Sequence, residues 1–565
     1  MGQPMRLSVD SEAAGWNRKM NGDSPEKVGI PEADGLHLTG RQQRKTRKEG
    51  ESRTSRRDCN PGMPTGDLSI PWGLRSVASN RRKEAYEGGP EEGTNSKAKT
   101  TQSDELQDRR SRVMPVEGVA HREAPCLGTQ PPSMELEEGL ETKLSRIAER
   151  SRRCPQEKIF SLIHLINEKH LKESLSGLEA GKASGIDGMT KEEYAKIAEQ
   201  RIPELVGEMK RQAYKPSGVR RVYIPKANGK MRPLGIPTLE SKLVQSVMRR
   251  ILEAVYEPIF LDCSYGFRPK RSCHNALKRV DEVVKTGRIH YIVEADIKGY
   301  FDHVDHGWLM KFLEIRIADR NLLRLIVRFL KAGIWEDGEW KESEEGTPQG
   351  GIVSPVLANV HLHYVLDEWF EKEYRKECKG KAELIRYADD FVAGFENKEE
   401  AERFRKAVEE RMKAHGLELE ESKTRTLAFS PWRYGKGSEV FEFLGFTHYV
   451  GRSRKGYFRM KRRTSGKKFR MKLAAFKKWL REVRCQLPLA EIWTKTRQKL
   501  LGHYRYYGVT DNSKRLEEYR HRVEGMLFKW LNRRSQKTSM SWQNFERYLK
   551  RYPLPAPRIY VSVLA

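Results

Sequence analysis

Aromatic side chains are distributed unevenly along the 565-residue chain, and this limits where a folded core can form. Only three of the 51 aromatic residues, Trp16, Trp72 and Tyr86, lie in the first 133 positions, which are rich in Gly, Pro, Ser, Arg and Glu. A segment so poor in apolar groups cannot offset the entropy cost of ordering its backbone. We therefore predict a disordered extension over residues 1–133 and folded domains over 134–565.

The charge of the chain is strongly one-sided. Its 107 Lys and Arg outnumber its 78 Asp and Glu, which gives a formal net charge of +29. Such an excess favours a polyanionic partner, either a nucleic acid or an anionic membrane surface. No run of about 18 apolar residues is present, so we expect no membrane span. The seven cysteines lack C-x-x-C pairs, which argues against a zinc module or a disulfide framework and indicates a reducing cytoplasm.

A pair of acidic residues stands in a turn between two short apolar runs. The segment Tyr387-Ala-Asp-Asp390 is typical of a tight turn between strands. Adjacent carboxylates repel each other unless a cation lies beside them, so the turn is a candidate Mg²⁺ site. Asp-Asp pairs also occur at exposed turns without any metal, so a third carboxylate is needed to favour the metal site.

Asp296 supplies a candidate third carboxylate, because it lies near the end of the apolar strand that we predict over residues 290–297. A strand end and a hairpin tip can converge on two metal ions, as in two-metal phosphoryl transfer. The alternative interpretation of Asp296 is a solvated residue at a strand end.

A triphosphate substrate also needs positive charge and hydrogen-bond donors. Lys226 and Arg232 flank an Asn-Gly turn that predicts a β-hairpin, and such a hairpin can fold cations over phosphates. Gln349 lies in a Gly-rich turn before a predicted helix, where backbone N–H groups can meet a nucleotide. Ordinary surface charge and a plain loop are the alternative interpretations of these segments.

Seven segments resemble, in order, the motif blocks of reverse transcriptases, in particular those of group II intron-encoded proteins of the bacterial type. They are Gly185-Ile-Asp-Gly188, Gly266-Phe-Arg-Pro269, Asp296-Ile-Lys-Gly-Tyr-Phe-Asp302, Gly346-Thr-Pro-Gln-Gly-Gly-Ile-Val-Ser-Pro355, Tyr387-Ala-Asp-Asp390, Leu417-Glu-Leu-Glu-Glu-Ser-Lys-Thr424 and Phe443-Leu-Gly-Phe446. The resemblance implies an α+β fold of the right-hand polymerase type, with fingers, a palm built on an antiparallel sheet, and a helical thumb or maturase domain.

The same resemblance implies domain boundaries. N-terminal helices and a finger loop are expected over residues 134–204. The reverse transcriptase fingers and palm are expected over 205–450, and the thumb and maturase domain over 451–565.

The resemblance also implies roles for single residues. The catalytic triad would be Asp296, Asp389 and Asp390, which with the carbonyl of Ile297 would hold two Mg²⁺ ions, replaceable by Mn²⁺. The nucleotide-binding residues would be Lys226, Arg232, Phe301, Gln349 and Lys423, with the ring of Phe301 excluding a 2′-hydroxyl. The residues that bind primer or RNA would be Phe443, Leu444, Gly445, Arg505, Arg533 and Arg534.

The expected function is an RNA-directed DNA polymerase that also binds its group II intron RNA, assists splicing and supports intron mobility. Its further partners would be an RNA template with a DNA primer, dNTPs and target DNA, in the bacterial cytosol or nucleoid; the oligomeric state is left open. A domesticated reverse transcriptase in phage (antiviral) defence or DNA repair, and a splicing-only maturase, are the alternatives. Many relatives carry a C-terminal endonuclease region with paired cysteines; none appears here, so second-strand cleavage is not expected.

Overall fold

The structure is a computed structural model that describes residues 139–225, 231–347, 349–534 and 539–564. The predicted disordered extension therefore lies outside the described residues, and so does Lys226. Helices and strands are both abundant, so the fold is of the mixed α+β class, as predicted. In the described part of the chain, no helix is long and apolar enough to cross a membrane.

The helices within the described ranges are α1 Leu140–Arg153, α2 Glu168–Gly177, α3 Lys191–Lys210, α4 Leu239–Tyr256, α5 Cys273–Lys285, α6 His306–Arg316, α7 Arg320–Leu330, α8 Ser354–Leu362, α9 Arg375–Glu377, α10 Lys398–Ala414, α11 Gly466–Val483, α12 Leu489–Tyr507, α13 Ser513–Leu531 and α14 Trp542–Arg551. The strands are β1 Val219–Pro225, β2 Met231–Ile236, β3 Tyr291–Asp296, β4 Ile334–Glu336, β5 Glu339–Lys341, β6 Ala382–Tyr387, β7 Asp390–Phe395, β8 Arg425–Ala428, β9 Phe441–Phe443, β10 Phe446–Arg452 and β11 Phe458–Thr464. Two π-helical stretches, His363–Asp367 and Phe370–Tyr374, lie between α8 and α9.

The central sheet has the strand order β6-β7-β3-β8, and all its pairings are antiparallel. It separates two apolar cores, because side chains alternate between the two faces of a strand. Val293 and Ala295 face the core built with α4, α6, α8 and α10, whereas Ile292 belongs to the core built with α5, β9–β11 and α12. Burial on both faces explains why β3, β6 and β7 read as nearly continuous apolar runs.

The remaining strands of the described residues form two further sheets. In the first, β1 pairs with β2 antiparallel and with β4 parallel, in the order β2-β1-β4-β5. This confirms the two strands of the predicted hairpin, although its Asn-Gly turn lies outside the described residues. In the second, β10 lies between β9 and β11.

Two helix predictions differ from the structure. The spacing of apolar residues predicts one helix over 307–333. The structure has two helices there, because Ile317 adopts an extended conformation that bridges to Ile159, and Asp319 then caps α7. The apolar spacing over about 470–550 predicts three helices, whereas the structure has four, α11 to α14. Pro488 stands before α12 and Gly508 ends it, which divides the helical pattern that the apolar spacing alone suggested.

Asp319 is a buried helix cap. We expect Asp319→Ala to lower the free energy of unfolding by about 3 kcal/mol, because the substitution leaves buried N–H groups without an acceptor. Its carboxylate accepts hydrogen bonds from the backbone N–H groups of Leu162, Ile163, Asn321 and Leu322. Thr190→Ala, at the exposed cap of α3, should cost about 1 kcal/mol. Urea unfolding of both variants would check the order, and equal losses would contradict it.

Candidate active site

The β6–β7 hairpin brings acidic residues to one end of the central sheet. Ala388 and Asp389 form its turn, and Tyr387 pairs with Asp390 across it. Ala388 has a φ of 59°, in the left-handed region that is unfavourable for a residue with a Cβ. Asp390 begins β7 and lies opposite Asp296, the last residue of β3. The backbone register therefore brings the three predicted acids together.

The three carboxylates perturb one another. Burial raises the pKa of Asp390 to about 8, and repulsion from Asp296 and Asp389 adds to the increase. Burial also raises the pKa of Asp389, again with a contribution from Asp296, while Arg232 and Lys423 act in the opposite direction. Because the charged forms are disfavoured at both positions, a cation between these side chains would be stabilising.

Lys423 is the cation that the structure places at these acids. Its Nζ forms an ion pair with the carboxylate of Asp296. Within the described ranges, no group of three His, Cys, Asp or Glu side chains is arranged to hold a metal ion. The three acids are therefore close in the backbone, but their side chains are not arranged as a set of metal ligands. Their oxygen donors and mutual repulsion nevertheless fit a divalent cation such as Mg²⁺.

The predicted ligand Ile297 and the predicted primer-binding turn adjoin the acids. The N–H of Ile297 donates to the carbonyl of Asp389 at 3.4 Å. The backbone N–H of Leu444 donates to the carboxylate of Asp390, and the hydroxyl of Tyr506 on α12 donates to the carbonyl of Leu444 at 3.0 Å. Leu444 therefore links the acidic cluster to α12.

The other residues predicted to bind primer or RNA are divided between the core built with α5, β9–β11 and α12 and the protein surface. Phe443 is buried, and Gly445 has a φ of 78°. Arg505 is exposed on α12. Arg533 and Arg534 are exposed after the end of α13, where the Arg533 guanidinium lies over the Trp530 ring at 5.2 Å. Arg533 and Arg534 therefore do not form one contact group with Phe443 and Gly445 in the structure.

The predicted sugar filter, Phe301, lies on a loop that the Gly-rich turn covers. Its carbonyl accepts a hydrogen bond from the N–H of Thr347 at 2.8 Å. Its half-buried ring packs edge-on against Phe267 and Tyr300, with ring centroids 6.3 and 5.4 Å apart. This packing limits the movement of the ring.

Gln349 and Arg232 lie on adjoining backbone segments. The N–H of Gly235 in β2 donates to the carbonyl of Gln349 at 2.6 Å, and Arg232 is exposed on the same strand. The side-chain oxygen Oε1 of Gln349 is buried and has no hydrogen-bond partner in the structure. Buried acceptors are nearly always paired, so this oxygen marks a place for a ligand donor or a water.

Two residues with no role assigned from the sequence hold the hairpin. A Cβ on Gly266 would collide with the backbone of Tyr387 and Ala388, so only glycine permits this approach. Arg386 is fully buried and forms an ion pair with Asp367. An arginine directly after the apolar pair Leu384-Ile385 is the signal that could have identified it from the sequence.

Residues 224–448 match the family model of the reverse transcriptase (RNA-dependent DNA polymerase). Group II intron-encoded protein LtrA of Lactococcus lactis subsp. cremoris is 45% identical over 187 residues, 33% of this chain and 31% of LtrA. Protein YkfC of Escherichia coli (strain K12) is 36% identical over 236 residues, 37% of this chain and 62% of YkfC. Nuclear intron maturase 4, mitochondrial, of Arabidopsis thaliana is 27% identical over 149 residues, 26% of this chain and 18% of that protein.

The matched segment contains Asp296, the β6–β7 turn and Lys423, so the candidate site lies in the part of the chain that is similar to reverse transcriptases. Over these segments the chain is similar to reverse transcriptases and to a group II intron-encoded protein. It spans about a third of the length of LtrA and less than two thirds of YkfC.

The raised pKa of Asp390 predicts how stability depends on pH when no metal is bound. An acid whose folded pKa is raised contributes stability that is present below its unfolded pKa of about 4 and is lost as the pH rises through about 8. The free energy of unfolding of Asp390→Asn, relative to that of the unmodified protein, should therefore rise by more than ~1 kcal/mol from pH 4 to pH 8.

Urea unfolding in EDTA at several pH values would measure this difference. Glu339→Gln, on the exposed strand β5, is the control and should follow the unmodified protein. A constant difference between Asp390→Asn and the unmodified protein across this range would contradict the assignment.

Proposed function

We propose that the protein is an RNA-directed DNA polymerase that also binds its group II intron RNA to assist splicing and intron mobility. One observation carries the proposal: within the reverse transcriptase match, the strand register places Asp296 opposite Asp390, with Asp389 in the adjoining turn. In the right-hand description, the central sheet is the palm, the sheet β2-β1-β4-β5 belongs to the fingers, and α11–α13 belong to the thumb and maturase domain.

The proposed centre uses the carboxylates of Asp296, Asp389 and Asp390 and the carbonyl of Ile297 to hold two Mg²⁺ ions, for which Mn²⁺ can substitute. Mg²⁺ held by these residues would supply the positive charge that lowers the pKa of a 3′-hydroxyl and stabilises a pyrophosphate. Lys423 holds Asp296 in the structure, and we propose that its ammonium group turns to a nucleotide phosphate in the substrate complex.

The remaining proposed contacts surround the incoming nucleotide. Arg232 is exposed on the finger hairpin and close enough to Asp389 to oppose part of the rise in the pKa of that carboxyl, so it can pair with the triphosphate. Lys226 is proposed for the same role, although it lies outside the described residues. The unpartnered oxygen of Gln349 would accept a hydrogen bond from the nucleotide, and Phe301 would block a 2′-hydroxyl by contact.

The intron RNA is the proposed partner of the basic surface around α11–α13. Arg481, Arg484 and Arg533 lie over the ring of Trp530 at 5.3, 5.0 and 5.2 Å, which concentrates positive charge beside an aromatic group. RNA is bound through such phosphate contacts and stacking. Template RNA with its DNA primer, dNTPs and target DNA complete the proposed partners.

Primer extension on an RNA template with Mg²⁺ and dNTPs tests the polymerase. We expect cDNA from the unmodified protein, and a loss on the order of 10³-fold or more in Asp389→Ala, because phosphoryl transfer depends on the metal site. Asp262→Ala removes a carboxylate that is 98% exposed and should retain activity.

An unmodified protein that makes no cDNA would overturn the polymerase assignment. If such a protein still promoted intron splicing, the splicing-only maturase would be the correct alternative.

Substrate selection by Phe301 can be measured separately. Phe301→Ala should raise incorporation of ribonucleotides relative to deoxyribonucleotides by about tenfold or more, since shortening the side chain removes a steric barrier worth ~1–3 kcal/mol. Tyr457→Ala, at an exposed ring before β11, is the matched aromatic control. An unchanged dNTP/rNTP ratio in Phe301→Ala would refute the role.

A further inference from the structure

We propose that Arg386 is a positioning residue, which sets the place of the Asp389 carboxylate by holding the carbonyl of Ala388 from inside the protein. The inference rests on the proposed function, because it concerns the same acidic site. It goes beyond that function by assigning a fully buried cation to the geometry of the catalytic turn.

Arg386 makes more hydrogen bonds than its ion pair with Asp367 accounts for. Its guanidinium is fully buried and uses Nε and Nη2 to bind both carboxylate oxygens of Asp367. Nη2 also donates to the hydroxyl of Ser264 at 2.8 Å, and Nη1 donates to the side-chain oxygen of Asn359 at 3.1 Å. The remaining hydrogen bond runs from Nη1 to the carbonyl of Ala388 at 3.1 Å. The planar, five-donor guanidinium can make all these bonds at once, whereas an ammonium group cannot.

Ala388 needs such support because its conformation is unfavourable. A left-handed backbone costs an alanine roughly 1–2 kcal/mol, and persists only where the surroundings impose it. The carbonyl of Ala388 is held by Arg386 on the inner side. Its N–H side is covered by Gly266, whose backbone approaches too closely to permit a Cβ.

Asn359 joins these two supports. Its side-chain oxygen accepts from Arg386, and its Nδ2 donates to the carbonyl of Gly266 at 2.8 Å. Ala388 is therefore clamped between two groups that are themselves connected. Asp389 follows directly, and its own carbonyl accepts a long hydrogen bond of 3.4 Å from the N–H of Ile297. The position of the Asp389 side chain consequently depends on the clamp at Ala388.

A double variant separates positioning from a merely structural role. Arg386→Met alone leaves Asp367 buried without a partner, and should unfold at a clearly lower urea concentration. Arg386→Met combined with Asp367→Leu replaces the buried pair by apolar groups, which often restores stability. It does not restore the hydrogen bond to Ala388.

For the double variant we expect a urea midpoint near that of the unmodified protein. Its affinity for Mn²⁺, measured by electron paramagnetic resonance on the full chain, should fall by roughly 10-fold or more, as is typical when the supports of metal ligands are removed. The Mg²⁺ concentration for half-maximal primer extension should rise by a similar factor. Asp389→Asn serves as the reference for a damaged site. A restored midpoint together with unchanged Mn²⁺ affinity would overturn the positioning role.

A second pair of variants applies if the double variant does not fold. Ser264→Ala and Asn359→Ala each remove one hydrogen bond from Arg386, but only Asn359 also holds Gly266 against the turn. Asn359→Ala should weaken Mn²⁺ binding more than Ser264→Ala, and equal effects would overturn the inference. If the unmodified protein makes no cDNA, the proposed polymerase fails, while Mn²⁺ affinity and the urea midpoints still decide the role of Arg386.

Discussion

The antiparallel pairing of β3 with β7 is the constraint on which the candidate site depends. It places Asp296 directly opposite Asp390, and the tight turn before β7 adds Asp389 beside them. A shift of one residue would turn every side chain of the strand to the other face. Such a shift is opposed by both apolar cores, because the sheet lies between them and buries Val293 on one side and Ile292 on the other. Packing of the cores thereby fixes the position of the acids.

That position is electrostatically unfavourable, and the surroundings show how the protein tolerates it. The carboxyl of Asp390 is held with a raised pKa, while Lys423 partly neutralises Asp296. A chain with a net charge of +29 has ample cations, yet few lie at the acids. Substrates and metal ions would supply the missing charge, which is the physical basis for the proposed phosphoryl-transfer chemistry. The raised pKa of Asp390 and the left-handed backbone of Ala388 thus occur in the same turn region.

Much of the local structure could be predicted, because it depends on neighbouring residues. The alternation and turn signals located the strands of both hairpins, and the cap of α3 is a local Thr190–Glu193 capping box. The break between α6 and α7 could not be predicted in this way. It arises because Ile317 pairs with Ile159, far away in the chain. The domain boundaries and the roles of the site residues remain predictions.

By itself, the sequence determined which chemical groups are available and in what order: three acids, a Gly-rich turn, two cations around a hairpin, and a basic, aromatic-rich second half. These follow from residue identity and short-range spacing. Only the tertiary structure decided that Asp296 faces Asp390, that Lys423 pairs with Asp296, and that Arg386 and Gly266 enclose Ala388. The reason is physical: those contacts join segments separated by up to 127 positions, and their geometry is set by close packing of two cores around one sheet.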